Sequence, residues 1–269
     1  MSLLPTAPRS IGGVLDDGIR LYRKSLGSCL LVALLASLLI VVPTLIFIPQ
    51  AVSVAAGGPG AMLTLFRSPT FLLTIVVVSV VYVGFYNAAI LRIHGIAIDE
   101  PLSLGAALGQ GLRRALPMLG FWIIFMLVIS VGTVLLVIPG IYLWGIFQLG
   151  FVALLVENAG VFESFGISRR LIKGHWWRSA TIMAVALIIM IVFSFLVGIV
   201  AGITAGIMMG VFHADQITNV IVQQGISTIF RMFLLSLFPS FLLAMYYDLK
   251  LRNEGSDLED RIAALTPAN

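Results

Sequence analysis

The chain has 269 residues, of which 60% are hydrophobic and only 10% are charged, with a formal net charge of +4. Soluble domains carry about 25% charged residues, so this composition excludes an ordinary water-soluble fold. Cys29 is the only cysteine, which excludes a disulfide or a cysteine-based metal site within one chain.

Charged residues are confined to short segments between long uncharged stretches. Residues 25–66, 68–91, 115–156 and 179–212 contain no Asp, Glu, Lys or Arg. A charge at the centre of a bilayer costs about 2.5 to 3.5 kcal/mol on insertion scales, so such stretches are typical of membrane-spanning helices. No other segment has the roughly 50 residues of a soluble domain. Residues 1–269 are therefore predicted to form one all-α membrane domain.

The uncharged stretches predict six spans, because a helix needs about 20 apolar residues to cross a membrane. Residues 115–156 suffice for two, and Ile138-Pro139-Gly140 is predicted to divide them, since proline and glycine favour a reversal. The predicted spans are residues 26–48, 70–91, 116–138, 140–157, a fifth that starts near residue 179, and 228–247. The first exceeds the apolar core of about 7–15 residues in a signal peptide, so we expect it to be retained.

The fifth span is too long for a bilayer. Its uncharged residues 179–212 would extend about 51 Å as a straight helix. We expect this helix to project beyond the outer face and to return through the polar segment 213–224.

The basic residues predict the orientation of the spans. With six spans, 14 of the 16 Lys and Arg fall on one side, and only Arg67 and Arg231 fall on the other. The positive-inside rule then places both termini in the cytoplasm, with residues 248–269 as a tail. Arg231 is predicted to lie about one turn inside the outer end of the last span. Its side chain either extends to the outer headgroups or pairs with a buried group such as Asp215.

An internal repeat precedes pairs of spans. Residues 10–20 and 103–113 share Ser, Gly, Leu, Gly and Arg at a constant offset of 93, and residues 161–170 form a weaker copy. The first copy is amphipathic, which is typical of a helix in the membrane interface. The predicted unit is an interfacial helix, a span, a turn and a span, and a pseudo-threefold axis along the membrane normal would follow. The units are residues 10–93, 102–157 and 160–247. The alternative is coincidence among apolar sequence.

Glycines recur every four residues in the fifth span, at Gly198, Gly202, Gly206 and Gly210. Small residues on one helix face let another helix approach closely. This stripe predicts helix packing, either within the chain or in a homo-oligomer or with a partner membrane protein.

The densest polar cluster lies before the fifth span. Its residues are Arg169, Arg170, Lys173, Trp176, Trp177 and Arg178. Basic residues beside a membrane attract anionic lipid headgroups, so these are candidate lipid-headgroup residues. The alternative role is to fix topology and anchor the helix in the interface.

The remaining polar residues suggest no catalytic chemistry. Glu157 ends the fourth span and is predicted to pair with a basic residue of the following helix. The sequence contains none of the spacings typical of metal sites, nucleophile elbows, phosphate loops or dinucleotide turns. We therefore expect no cofactor, no metal and no catalysis. The topology bias explains the pI near 9.5, so nucleic-acid binding is not expected.

Four segments resemble a known group of proteins. They are residues 18–24 (GIRLYRK), 138–143 (IPGIYL), 163–178 (ESFGISRRLIKGHWWR) and 246–259 (YYDLKLRNEGSDLE). The chain is similar to bacterial inner-membrane proteins that include the YciC-like proteins and are related to the membrane domain fused to some glycerophosphodiester phosphodiesterases. The resemblance implies a bacterial inner-membrane location. In the fused proteins a separate soluble barrel is catalytic, and this chain has no such domain.

The sequence therefore predicts a non-enzymatic inner-membrane protein that organises lipid or partner proteins in the bacterial envelope. The alternative is a transporter or channel for a small or amphiphilic molecule. Ionisable residues at mid-membrane commonly mark ion pathways, and their scarcity here disfavours an ion pathway but not an amphiphilic substrate. An intramembrane enzyme is disfavoured because no pair of candidate acid and base residues shares one face at one depth.

Overall fold

The computed structural model describes residues 5, 7–57 and 66–265, and the described residues form helices and short connections without a β-strand. This confirms the predicted all-α class. In chain order the helices are α1 (Ile11–Gly57), α2 (Pro69–Ala97), α3 (Leu104–Arg113), α4 (Ala115–Leu135), α5 (Val137–Phe147), α6 (Gly150–Val156), α7 (Val161–Ile172), α8 (Trp176–Gly210) and α9 (Gln216–Leu265).

Six helical stretches among the described residues are long and apolar enough to cross a membrane. They are Ile11–Pro43, Pro69–Ala97, Ala115–Leu135, Val137–Val156, Trp176–Gly210 and Gln216–Asn253. The fourth stretch comprises α5 and α6, which are interrupted briefly between Phe147 and Gly150. The predicted number of spans is confirmed.

The reversal between the third and fourth spans lies two residues before the predicted Ile138. Leu136 has an extended backbone (φ −162, ψ 142) and separates α4 from α5. Pro139 then falls in the first turn of α5, where backbone N–H groups have no partner within the helix and a missing one costs little. Gly140 of α5 is in close contact with Thr133 of α4, since a Cβ on Gly140 would lie 2.1 Å from the threonine hydroxyl oxygen.

The first predicted interfacial helix is not a separate element. α1 continues for 47 residues through the predicted interfacial segment and the first span. In the second and third units the short helices α3 and α7 are separate, because the backbone changes direction at Arg114 and at Gly174. Gly174 has φ +82, a left-handed conformation that glycine adopts without strain and that ends α7.

The fifth span is long, as expected, but its return differs from the prediction. α8 has 35 residues, about 52 Å of helix. α9 begins at Gln216, so most of the predicted polar return 213–224 is helical. Asp215 caps this helix, because its carbonyl accepts from the Asn219 N–H at 3.1 Å and its carboxylate accepts from the Thr218 hydroxyl. The Gln223 amide then ties α9 to α8 by donating to the carbonyl of Ala201 at 2.8 Å.

The starts of α1 and α8 meet the Asp248 segment of α9 at one end of the bundle. The N–H of Arg9 donates to Asp248 at 2.7 Å, and the Arg178 guanidinium donates to the same carboxylate at 2.9 Å. At this end α2 also reaches α9, where His94 and the Tyr247 hydroxyl lie 2.5 Å apart. We call it the basic end.

The three predicted units begin alike. Their helices are capped by Ser10, Ser103 and Gly160, whose carbonyls accept from the N–H four residues later at 3.0, 3.0 and 2.9 Å. These positions are separated by 93 and 57 residues. The same offsets relate Gly18, Gly111 and Ser168.

These three equivalent small residues each contact the second span of the preceding unit. A Cβ on Gly18 would lie 2.6 Å from the Phe241 ring of α9, and one on Gly111 would lie 2.3 Å from the Gly84 carbonyl oxygen of α2. The Ser168 hydroxyl donates to a carbonyl of α5 at 2.6 Å. A cyclic order of units would require such contacts, but the threefold repeat itself stays a prediction.

Candidate functional site

The candidate lipid-headgroup residues lie on and directly after α7, whose inner face is fixed against the bundle. Glu163 accepts from the N–H of Gly160 at 3.1 Å and so stabilises the first turn. Ser168 bonds to the carbonyl of Ile146 on α5. The buried inner face consists of Ser164, Ile167, Ser168, Leu171 and Ile172. The orientation of α7 is therefore set by packing, and its basic residues turn outward.

Three of the six candidate residues are exposed cations. Arg169, Arg170 and Lys173 are exposed, and none of them forms an ion pair with a residue that the structure describes. Phe162, the second residue of the same helix, is 77% exposed. This surface thus combines cationic groups with an exposed aromatic ring.

The two tryptophans of the cluster have different roles. The Trp176 indole N–H donates to the carbonyl of Tyr142 at 3.3 Å, and its ring packs over Gly145, where a Cβ would lie 2.7 Å from the indole nitrogen. Trp177 is 80% exposed. Trp176 therefore holds α8 against α5, whereas Trp177 belongs to the exposed surface.

Arg178, the sixth candidate, is engaged inside the bundle. It donates to the fully buried carboxylate of Asp248 from Nε at 3.1 Å and from a terminal nitrogen at 2.9 Å. Arg252 donates to the same oxygen at 3.1 Å, and both arginines also donate to the carbonyl of Arg9 at 2.6 Å. The structure therefore assigns Arg178 a structural contact and not a free headgroup-binding position.

We use the name headgroup surface for the exposed set Phe162, Arg169, Arg170, Lys173 and Trp177. Sequence reasoning missed Phe162, which precedes the predicted cluster by seven residues and was not distinguished from a core aromatic. The helical spacing of the buried residues of α7 would have placed it on the outer face.

The predicted pairing of Glu157 with the following helix is wrong. Its carboxylate accepts from the Tyr246 hydroxyl and from Lys250 at 3.3 Å, both on α9. The basic residues of α7, the following helix, point outward because the opposite face of α7 is buried. Glu157 thus helps to attach the fourth span to the last one.

The glycine stripe of α8 makes no contact within the described part of the chain. A Cβ added to Gly198, Gly202, Gly206 or Gly210 would meet no described atom within 4 Å. The predicted packing within the chain is therefore not found among the described residues. The prediction of contact with another copy or a partner is untested.

Arg231 does not pair with Asp215. Its Nε donates to the carbonyl of Ser227 at 3.3 Å, and a terminal nitrogen donates to Gln224 at 3.1 Å. Asp215 instead bonds to Thr218, and this hydroxyl holds the pKa of the Asp215 carboxyl below its usual value. The guanidinium is thus directed along its own helix toward the end opposite the basic end, which agrees with the snorkelling interpretation.

The fold defines a class: this is a polytopic integral membrane protein with six spans. No protein-family model, no curated protein and no solved structure matches the chain. Within the described ranges, no group of three or more His, Cys, Asp or Glu side chains is placed to hold a metal ion.

Proposed function

We propose that this is a non-enzymatic protein of the bacterial inner membrane that binds anionic lipids at its cytoplasmic side and organises them or partner proteins in the envelope. The basic end is then the cytoplasmic end, because most Lys and Arg lie there. The observation that carries the proposal is the headgroup surface, where three cations without an ion pair among the described residues stand beside two exposed aromatic rings.

The energetics favour lipid binding at this surface. A basic residue near an anionic membrane gains about 1 kcal/mol, so Arg169, Arg170 and Lys173 together supply about 3 kcal/mol, or roughly a hundredfold in affinity. Trp177 and Phe162 expose apolar rings that would otherwise face water, and aromatic rings favour the interfacial depth. Because α7 is fixed by its buried face, the backbone needs no ordering when these side chains bind.

The test uses a triple variant, Arg169→Gln/Arg170→Gln/Lys173→Gln. The full chain is placed in nanodiscs of phosphatidylcholine with increasing phosphatidylglycerol, and retained phosphatidylglycerol is counted by native mass spectrometry. We expect the variant to need roughly a hundredfold more phosphatidylglycerol for equal retention.

The matched control is Arg20→Gln/Arg23→Gln/Lys24→Gln on α1. It removes the same charge from three exposed residues at the basic end. A clearly smaller loss of bound lipid is expected, because Gly12 and Gly27 replace the aromatic residues at the corresponding positions, 150 residues earlier. Equal losses in both variants would show non-specific attraction and would contradict a defined lipid site.

A further inference from the structure

Arg231 lies within the last apolar helix and pairs with no acidic residue that the structure describes. Arg231 precedes Asp248 by 17 residues, about 25 Å along a helix, whereas the hydrocarbon core of a bilayer is about 30 Å thick. This places Arg231 within the last span, nearer to the end opposite the basic end, and an arginine within a span commonly marks a functional site.

Arg231 lines a cavity of about 250 Å³ whose polar groups come from Arg231, Ser37, Tyr82 and Tyr86 and whose remaining wall is apolar. The Ser37 side chain is 1% exposed, and its hydroxyl has no hydrogen-bond partner among the described residues. Neither tyrosine hydroxyl bonds to a described residue, and one terminal nitrogen of the guanidinium also lacks an acceptor there. A hydroxyl left unpaired in a buried site costs about 1–3 kcal/mol, so the Ser37 hydroxyl is placed here at a cost that a ligand would offset, and the half-buried groups of Arg231, Tyr82 and Tyr86 have free donors beside it.

A second space of about 480 Å³ adjoins this cavity. Tyr82, Tyr86 and Phe238 line both spaces. The second space is otherwise formed largely by aromatic and methionine side chains, which suit a flexible hydrocarbon chain. Trp122 and Met126 line it and are 49% and 38% exposed, so this crevice opens sideways between α2 and α4, toward the lipid.

We propose that the cavity and crevice bind one anionic amphiphile with a single hydrocarbon chain. Its oxyanion, a carboxylate or a phosphate, accepts from Arg231 and from the hydroxyls of Ser37, Tyr82 and Tyr86. Guanidinium and hydroxyl groups are the donors that an oxyanion requires. The chain lies in the crevice and enters through the lateral opening. This site is separate from the headgroup surface and does not depend on the proposed function.

The test is quenching of tryptophan fluorescence in the full chain by dibromostearic acid, because Trp122 and Trp144 line the crevice. The methyl ester of the same acid is the ligand control, since it carries the chain without the anion. We expect saturable quenching by the acid and only non-saturable quenching by the ester. Arg231→Gln should weaken binding of the acid about tenfold or more, because a hydrogen bond to a charged group contributes about 1.5–3 kcal/mol.

Arg67→Gln is the matched protein control, since Arg67 is exposed and is not a lining residue of either space. If Arg231→Gln does not fold, the double variant Tyr82→Phe/Tyr86→Phe keeps both rings and should still weaken binding severalfold. Equal quenching by acid and ester would overturn the proposal, as would equal affinity in the Arg231→Gln and Arg67→Gln variants. Displacement of the acid by acetate or inorganic phosphate at equal concentration would indicate a free-anion site and would also overturn it. The Arg169, Arg170 and Lys173 triple variant should bind the acid normally, which separates this site from the headgroup surface.

Discussion

Replacing Asp248 by asparagine tests whether one buried carboxylate holds the basic end together. This carboxylate is fully buried and accepts hydrogen bonds from Arg9, Arg178 and Arg252. Asparagine keeps the shape of the side chain but removes its charge, and its amide nitrogen would oppose the arginine donors. We expect lower thermal stability, because both guanidinium groups would lose the carboxylate that pairs with them.

The structure sets the size of this effect. Breaking a buried ion pair by removing one partner costs about 3–5 kcal/mol. The Arg178 and Arg252 side chains are 16% and 25% exposed, so water can partly solvate them and the lower limit applies. For a chain of this length about 1 kcal/mol changes the melting temperature by about 2–4 °C, so the expected decrease is about 6–12 °C.

The assay is thermal unfolding of the purified protein in a mild detergent, followed by tryptophan fluorescence. Asp16→Asn is the control, because Asp16 is an exposed aspartate at the same end and its replacement should change stability by less than about 0.5 kcal/mol. A melting temperature of Asp248→Asn equal to that of Asp16→Asn would refute the reasoning. The Asp248 contacts would then be dispensable for folding.

Two further substitutions are informative in the same assay. Gly111→Ala should lower the melting temperature, because its methyl group would lie 2.3 Å from the Gly84 carbonyl oxygen. The methyl group of Gly202→Ala would meet no described atom within 4 Å, so this variant should have an unchanged or slightly higher melting temperature. Equal destabilisation by both would contradict the packing described for α3. Gln148→Leu should raise stability by about 1–3 kcal/mol, because the amide is 2% exposed and neither its nitrogen nor its oxygen has a partner among the described residues. A lower melting temperature for this variant would show that the amide is satisfied in the folded protein.

The number of spans could be predicted from the sequence because hydrocarbon excludes charge. That constraint acts on each stretch of chain by itself, so the uncharged stretches between charged residues are sufficient to count the spans. The role of an individual arginine could not be predicted in this way. Arg170 is exposed and Arg178 is engaged by Asp248, although the two are eight residues apart. The difference depends on α9, which approaches from 70 residues later in the chain.

Glycine patterns illustrate the same limit. The regular stripe that includes Gly202 makes no contact within the described chain, whereas Gly111 and Gly84 are in close contact. Glycine at every fourth residue shows that one helix face carries no side chains, but it does not identify the helix that packs there. Gly111 belongs to the internal repeat, but its close contact with α2 is visible only once both helices are placed.

Comparison of the predicted first and third units supports the proposed role of the headgroup surface. Arg20 and Arg23 correspond to Arg170 and Lys173 at an offset of 150, and all four are exposed. Charge alone therefore cannot distinguish the two surfaces, and topology could be fixed by either. The third unit differs in its aromatic residues, since Trp177 stands where the first unit has a glycine. Complete burial of one such side chain is worth about 1.5–3 kcal/mol, comparable with two or three basic residues near a membrane. Exposed rings beside cations that pair with no described acidic residue favour the proposed lipid site, and the comparison of lipid retention with the α1 variant separates it from an interfacial anchor.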